Sequence, residues 1–161
     1  MKLRFRIPLY VQKIARILSK EGYDVYLVGG ALRDIAMGKE PHDYDLATNA
    51  LPDEMLELFP KAVSTGAKFG TVIALVPDVN KESKEVEVTT FRSEEEYIDG
   101  RWPSKVEFVN DVYKDLGRRD FTINAMAVDL SSEDLGEEKE DRGWDIYDPF
   151  GGITDINMKL I

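Results

Sequence analysis

Apolar positions recur in two rhythms along the first half of the chain. Tyr10, Val11, Ile14, Ile17 and Leu18 return at helical spacing, with Lys13, Arg16 and Lys20 on the other side and Gly22 closing the run. Residues 8–21 are therefore expected to form an amphipathic helix packed on a sheet. Residues 25–28 then read as a short apolar strand running into Gly29-Gly30, and residues 31–37 as a short helix closed by Gly38. A second strand is expected at 44–47, and a helical piece at 52–59 with Pro52 in its first turn. Residues 71–76 and 85–91 are β-rich runs parted by a polar turn at 77–84, the pattern of a hairpin. Residues 92–109 have no clear period and include Gly100 and Pro103, so a mobile loop is expected there. Residues 111–127 look helical in part and pass into a strand at 127–130. A return strand at Ile146-Tyr147 and a helix starting after Gly151-Gly152 complete the reading. No internal repeat is visible. The mixture predicts an α/β (mixed α+β) fold with a small mixed sheet.

Composition narrows the class. At 161 residues and 43% hydrophobic, the chain fits one compact domain with its own core. No run is long enough to span a bilayer, and the first residues lack the apolar stretch of a secretory signal, so a cytoplasmic location and no membrane partner are expected. Cysteine is absent, which removes disulfides and thiolate metal sites. The net charge of −10 sits badly with a phosphate-binding surface. Half of it lies in residues 131–145, where seven acids face only Lys139 and Arg142, a stretch expected to be a solvated hairpin tip. If this protein handles RNA, most of the grip is expected from other segments or subunits.

Asp43 and Asp45 follow the Gly29-Gly30 turn by little more than a dozen positions. On an extended strand they project from one face while Tyr44 and Leu46 point to the other. Like charges on one sheet face repel, yet they suit hard cations such as magnesium that share oxygen ligands with nucleotide phosphates. A third carboxylate is offered by Glu87, flanked by Val86 and Val88; Glu85 has the same parity, and spacing alone leaves both open. Three carboxylates and two cations are a known device for phosphoryl and nucleotidyl transfer. No nucleophilic side chain is offered, since Ser64, Ser83, Ser93 and Ser104 lack a histidine partner. The one histidine, His42, abuts the aspartates and is expected to be structural or solvent-facing, though it could titrate near neutral pH.

Gly29-Gly30 sits where a strand turns into a helix, and a backbone without Cβ can approach a ligand closely. Arg33 could reach a triphosphate with its planar donors; the plainer alternative has Arg33 and Asp34 engaged with neighbouring charges. The stretch Arg118-Arg119-Asp120-Phe121-Thr122-Ile123-Asn124 alternates polar with apolar positions. Its arginines suit phosphates, and Asp120 could orient an arginine or a ribose hydroxyl; a salt-bridged helix start is the alternative. Gly29, Gly30, Arg33, Arg119, Asp120 and Asn124 form the expected nucleotide-binding set.

Together these residues resemble the class II tRNA nucleotidyltransferases (CCA-adding enzymes) and bacterial poly(A) polymerases, whose catalytic head belongs to the polymerase-β-like nucleotidyltransferase superfamily. The resemblance is carried by Leu27-Val28-Gly29-Gly30-Ala31-Leu32-Arg33-Asp34, Asp43-Tyr44-Asp45-Leu46-Ala47-Thr48, Glu87-Val88-Thr89-Thr90-Phe91-Arg92, Arg118 to Ala127, and Asp148-Pro149-Phe150-Gly151-Gly152. It implies a head spanning residues 1–161, with helices on one side of a small mixed sheet. It also implies two magnesium ions at Asp43 and Asp45 with Glu87 as the third carboxylate, and CTP or ATP contacted by Gly30, Arg33 and Arg119. The segment 92–109 resembles the flexible loop that helps these enzymes switch nucleotide, and residues 66–72 look more like the tRNA-repair branch. The implied activity adds C, A or both to the 3′ end of tRNA with release of pyrophosphate. The alternatives are a poly(A) polymerase, another member of the superfamily, or a non-catalytic nucleotide- or RNA-binding module. The family's neck, which chooses the base, and its body and tail are expected outside this chain, so a separate polypeptide supplying neck and body is a candidate partner.

Overall fold

The computed structural model describes residues 1–66, 70–77, 80–98, 102–131, 135 and 141–159. Six strands form the central sheet in the order β4-β5-β6-β3-β2-β9. These are β2 (Val25–Val28), β3 (Asp45–Thr48), β4 (Val63–Gly66), β5 (Thr71–Pro77), β6 (Ser83–Thr90) and β9 (Ala127–Asp129). Among the described residues, only the β3–β6 pair of this sheet is parallel and the other pairs are antiparallel, so the sheet is mixed as expected. β1 (Lys2–Phe5) pairs with β10 (Arg142–Asp145), and β7 (Arg92–Ile98) pairs with β8 (Trp102–Phe108), as two separate ribbons.

Alternation along the strands sorts the two sheet faces. In β6, Val86 and Val88 are fully buried while Glu85 and Glu87 are exposed. Leu27, Leu46, Val72, Ala74, Val86 and Val88 fill one face beneath Val11, Ile14 and Leu18 of α1 (Leu9–Lys20), Leu32 of α2 (Gly30–Ala36) and Met55 of α3 (Pro52–Leu58). Each such aliphatic side chain contributes roughly 1.5–3 kcal/mol by leaving water. α5 (Gly152–Asn157) joins the same face through Ile153. The exception is α4 (Val112–Gly117), whose Leu116 joins Val28, Ala47, Phe91 and Ala127 in a smaller cluster on the opposite face. The site face is thus closed by α4 at one end and left open along Asp45 and Glu87.

Two expectations need correction. Residues 92–98 and 102–108 are not irregular: β7 and β8 pair antiparallel, and the register shifts around Glu96 break the two-residue period that would have betrayed them. Residues 111–127 are helical in part as expected, with Asp111 accepting from the Tyr113 amide as the cap of α4 and a separate 3-10 turn at Thr122–Asn124. The return strand lies earlier than Ile146-Tyr147, at β10, which pairs with β1 rather than with β9; Tyr147 makes a single bridge to Ala127. Residues 132–134 and 136–140 of the acidic stretch, and 67–69 of the segment 66–72, lie outside the described residues.

Candidate nucleotide and metal site

The parallel register pairs Asp45 with Glu87, and the antiparallel register on its other side pairs Asp45 with Val28. The chain turns at Gly29 directly after Val28, so strand pairing alone brings the glycine turn and both carboxylates to one place. Asp43 precedes β3 and is exposed. Asp43, Tyr44, Asp45, Ile73, Glu85 and Glu87 line an open pocket of about 230 Å³. Glu85 therefore shares the pocket, but Glu87 is the register partner of Asp45. Among the described residues, no three acidic or histidine side chains stand close enough to hold one cation.

Asp45 is the electrostatic centre of this face. Burial pushes its pKa up to about 6, and the charges of Glu87 and Asp43 push the same way, while Arg119 opposes them. Gly29 has φ of 77° and ψ of −147°, a backbone state open in practice to glycine. A Cβ there would lie 3.5 Å from Asp45 Oδ2 and 3.6 Å from Arg119 Nη1. The bare glycine backbone is thus flanked by one acid and one arginine.

Both arginines of the expected set are held by acids. Arg33 Nε donates to Asp34 Oδ1 at 3.1 Å and its Nη1 donates to Asn124 Oδ1 at 3.1 Å. Arg119 Nη2 donates to Asp115 Oδ2 at 3.3 Å, and Arg118 Nε to Asp115 Oδ1 at 3.3 Å. Asp115 is fully buried and also accepts from the Arg92 amide. Burial lowers the pKa of Arg119, and Asp115 counters that effect. Asp115 has no place in the sequence expectations, although its spacing of three and four residues before the two arginines is the spacing of side chains that meet on a helix. Asp120 is exposed just before the 3-10 turn, and His42 is exposed.

The motif at residues 148–152 is structural support. Asp148 accepts from the amides of Gly152 at 2.7 Å and Ile153 at 2.9 Å, capping α5. The Thr122 hydroxyl donates to Asp155 on the same helix, which anchors the 3-10 turn carrying Asn124.

Residues 25–161 match the family of the poly A polymerase head domain. The chain belongs to that family. The chain is 45% identical over 148 residues to the CCA-adding enzyme of Geobacillus kaustophilus (strain HTA426), covering 92% of this chain and 32% of that protein. It is similar to the crystal structure of the Bacillus stearothermophilus CCA-adding enzyme in complex with CTP, at 37% identity and a TM-score of 0.71 over 91% of this chain and 31% of that one. It is also similar to the crystal structure of a tRNA nucleotidyltransferase complexed with a primer tRNA and an incoming ATP analog, at 29% identity and a TM-score of 0.61 over 92% of this chain and 37% of that one. The chain spans about a third of the length of the curated relatives it matches. Among the described residues, no helix is long and apolar enough to cross a membrane.

Proposed function

We propose that this head domain catalyses template-independent nucleotidyl transfer, in which the 3′ hydroxyl of tRNA attacks the α-phosphate of CTP or ATP and pyrophosphate leaves. The observation that carries the reading is the register pairing of Asp45 with Glu87 in a pocket that also contains Asp43, beside the Gly29 turn and Arg119. The relatives complexed with CTP, and with primer tRNA and an ATP analog, favour the same substrates.

Magnesium is usually held by one or two carboxylates, with substrate phosphates and water completing its shell, so the acids of this pocket suit it although no three of them converge on one point. All three acids offer hard oxygen, and an Asp45 whose charge is opposed by burial and by two neighbouring acids is relieved by a cation. Asp43, Asp45 and Glu87 would hold the metal, which supplies neutralisation of phosphate charge and a more acidic attacking hydroxyl. The chain's own contribution is positioning. Gly29 and Gly30 would let the triphosphate approach the backbone, Arg33 and Arg119 would take its oxygens with planar donors, and Asp120 would accept from a ribose hydroxyl. Choice of base and grip on the tRNA body fall to neck and body residues, wherever they are encoded; the acidic charge of this head agrees with that division.

The test is incubation of the chain, together with a neck and body polypeptide, with magnesium, CTP, ATP and tRNAs ending before, within or after CCA. Extension confined to incomplete ends is expected, and it should vanish in Asp43→Asn. Adenosine added to any RNA would favour poly(A) synthesis, the activity in the family's name. Nucleotide binding without transfer would replace the enzyme with a binding module.

A further inference from the structure

Asn124, expected among the nucleotide contacts, has its side-chain oxygen engaged by Arg33. We infer that Asn124 is a positioning residue: with Asp34 it fixes the plane of the Arg33 guanidinium over Gly30, and it acts on bound phosphate only through that arginine. The inference deepens the triphosphate reading above and rests on it.

Four observations carry it. Neighbouring residues on a helix point in different directions, so contact between Arg33 and Asp34 requires the arginine to curl back along α2. Its Nε and Nη2 both lie 3.1 Å from Asp34 Oδ1 while its Nη1 is bonded to Asn124 on a different element, and contacts at all three nitrogens of a rigid planar fork define its plane. A Cβ on Gly30 would lie 3.1 Å from Arg33 Nη2 and 3.4 Å from its Cζ, so the missing side chain is what lets the guanidinium lie against the backbone. Finally, the turn carrying Asn124 is anchored from behind, by the Thr122–Asp155 bond and by Gly152, whose absent Cβ would meet the Thr122 carbonyl oxygen. The Asn124 oxygen is therefore held in place by α5. A guanidinium has five N–H donors, more than these acceptors occupy, so donors remain for an anion. An arginine ordered in advance loses less freedom when phosphate binds, and that is the advantage of holding it.

The test is calorimetric titration of the 161-residue chain with CTP, and separately with inorganic tripolyphosphate, in magnesium. Asn124→Ala should weaken both about tenfold. In the Arg33→Ala background, Asn124→Ala should cause no further loss, and Asn124→Asp, which keeps the oxygen acceptor, should restore most of the affinity in the native background. In the ligand-free chain the Arg33 Nε–H signal should be protected from solvent exchange, and Asn124→Ala should remove that protection. Additive losses from Arg33→Ala and Asn124→Ala, or an unprotected Nε–H in the native chain, would overturn the positioning role while leaving the triphosphate reading intact. A native chain that binds neither probe, or an Arg33→Ala chain that binds both normally, would instead remove the triphosphate reading and this inference with it.

Discussion

Asp45 stands directly across the parallel β3–β6 pair from Glu87, like charge beside like charge on a partly buried face. Burial first, and the facing Glu87 charge after it, hold the Asp45 proton in the folded chain up to about pH 6, whereas the usual aspartate value is 3.8. Below about pH 3 the group is protonated both folded and unfolded, and the penalty is absent. As pH rises through the window up to about 6, the unfolded chain releases the proton first and stability falls. Asp45→Asn is expected to stabilise the metal-free chain at about pH 7.5 by on the order of 1 kcal/mol, once screening at this partly exposed site is allowed for. The gain should vanish at about pH 3. Urea denaturation with a chelator present measures it, and an equal effect at both pH values would contradict the assignment.

The same variant is expected to lose magnesium-dependent CTP binding. A substitution that strengthens the fold while removing the ligand is the mark of a residue kept for chemistry. Titration of CTP with and without magnesium checks this; retained magnesium-dependent binding in Asp45→Asn would place the metal elsewhere.

Asp115 should behave in the opposite way. It is fully buried between Arg118 and Arg119 and also accepts from the Arg92 amide at the root of β7. Removing one partner of a buried ion pair leaves uncompensated charge, at a cost of roughly 3–5 kcal/mol. Asp115→Ala is expected to approach that loss in chemical denaturation. Asp115→Asn keeps an acceptor for the Arg92 amide and should lose distinctly less. Near-native stability in Asp115→Ala would mean the two arginines are satisfied without it.

What the sequence made legible follows from local rules. Val86 and Val88 alternating with Glu85 and Glu87 announced both the strand and its site face, and the Gly29-Gly30 turn announced itself by composition. The pairing of Asp45 with Glu87 was not readable from spacing, because a parallel register is set by tertiary packing and Glu85 has identical parity. β7 and β8 were hidden because irregular register erases the period on which strand recognition depends. Asp115 was hidden for another reason: its contacts are helical in spacing, but burial of a charged residue is decided by what packs on it, and no local pattern carries that.

A surface pair offers a pH test far from the pocket. The Tyr23 hydroxyl donates to Glu54, which also accepts from the Leu51 amide at the start of α3. Both bonds hold the Glu54 pKa below its usual 4.5, the tyrosine bond first. The stabilisation is present above that value and is lost as pH falls through the lower folded pKa. Melting curves of the native chain and Tyr23→Phe should therefore differ near pH 6 and converge toward pH 3. A constant gap would assign the loss to packing of the ring.

Adjacent glycines at the start of α5 should respond differently to the same substitutions. Gly151 has a φ of +78° and open space around its missing side chain, so only its backbone conformation resists replacement. Asparagine tolerates that left-handed state better than alanine, so Gly151→Asn should be milder than Gly151→Ala, whose cost is about 1–2 kcal/mol. For Gly152 the barrier is contact, since a Cβ would meet the Thr122 carbonyl oxygen, and any side chain forces α5 away from the 3-10 turn. Gly152→Ala is expected to cost about 1–3 kcal/mol, as overpacking does. Because Thr122 and Asn124 share that turn, it should also weaken tripolyphosphate binding, whereas Gly151→Asn should leave binding nearly unchanged. Denaturation and titration of the three variants decide the matter: if Gly152→Ala proved as mild as Gly151→Asn in both, close packing of α5 on Thr122 would not be what holds the turn in place.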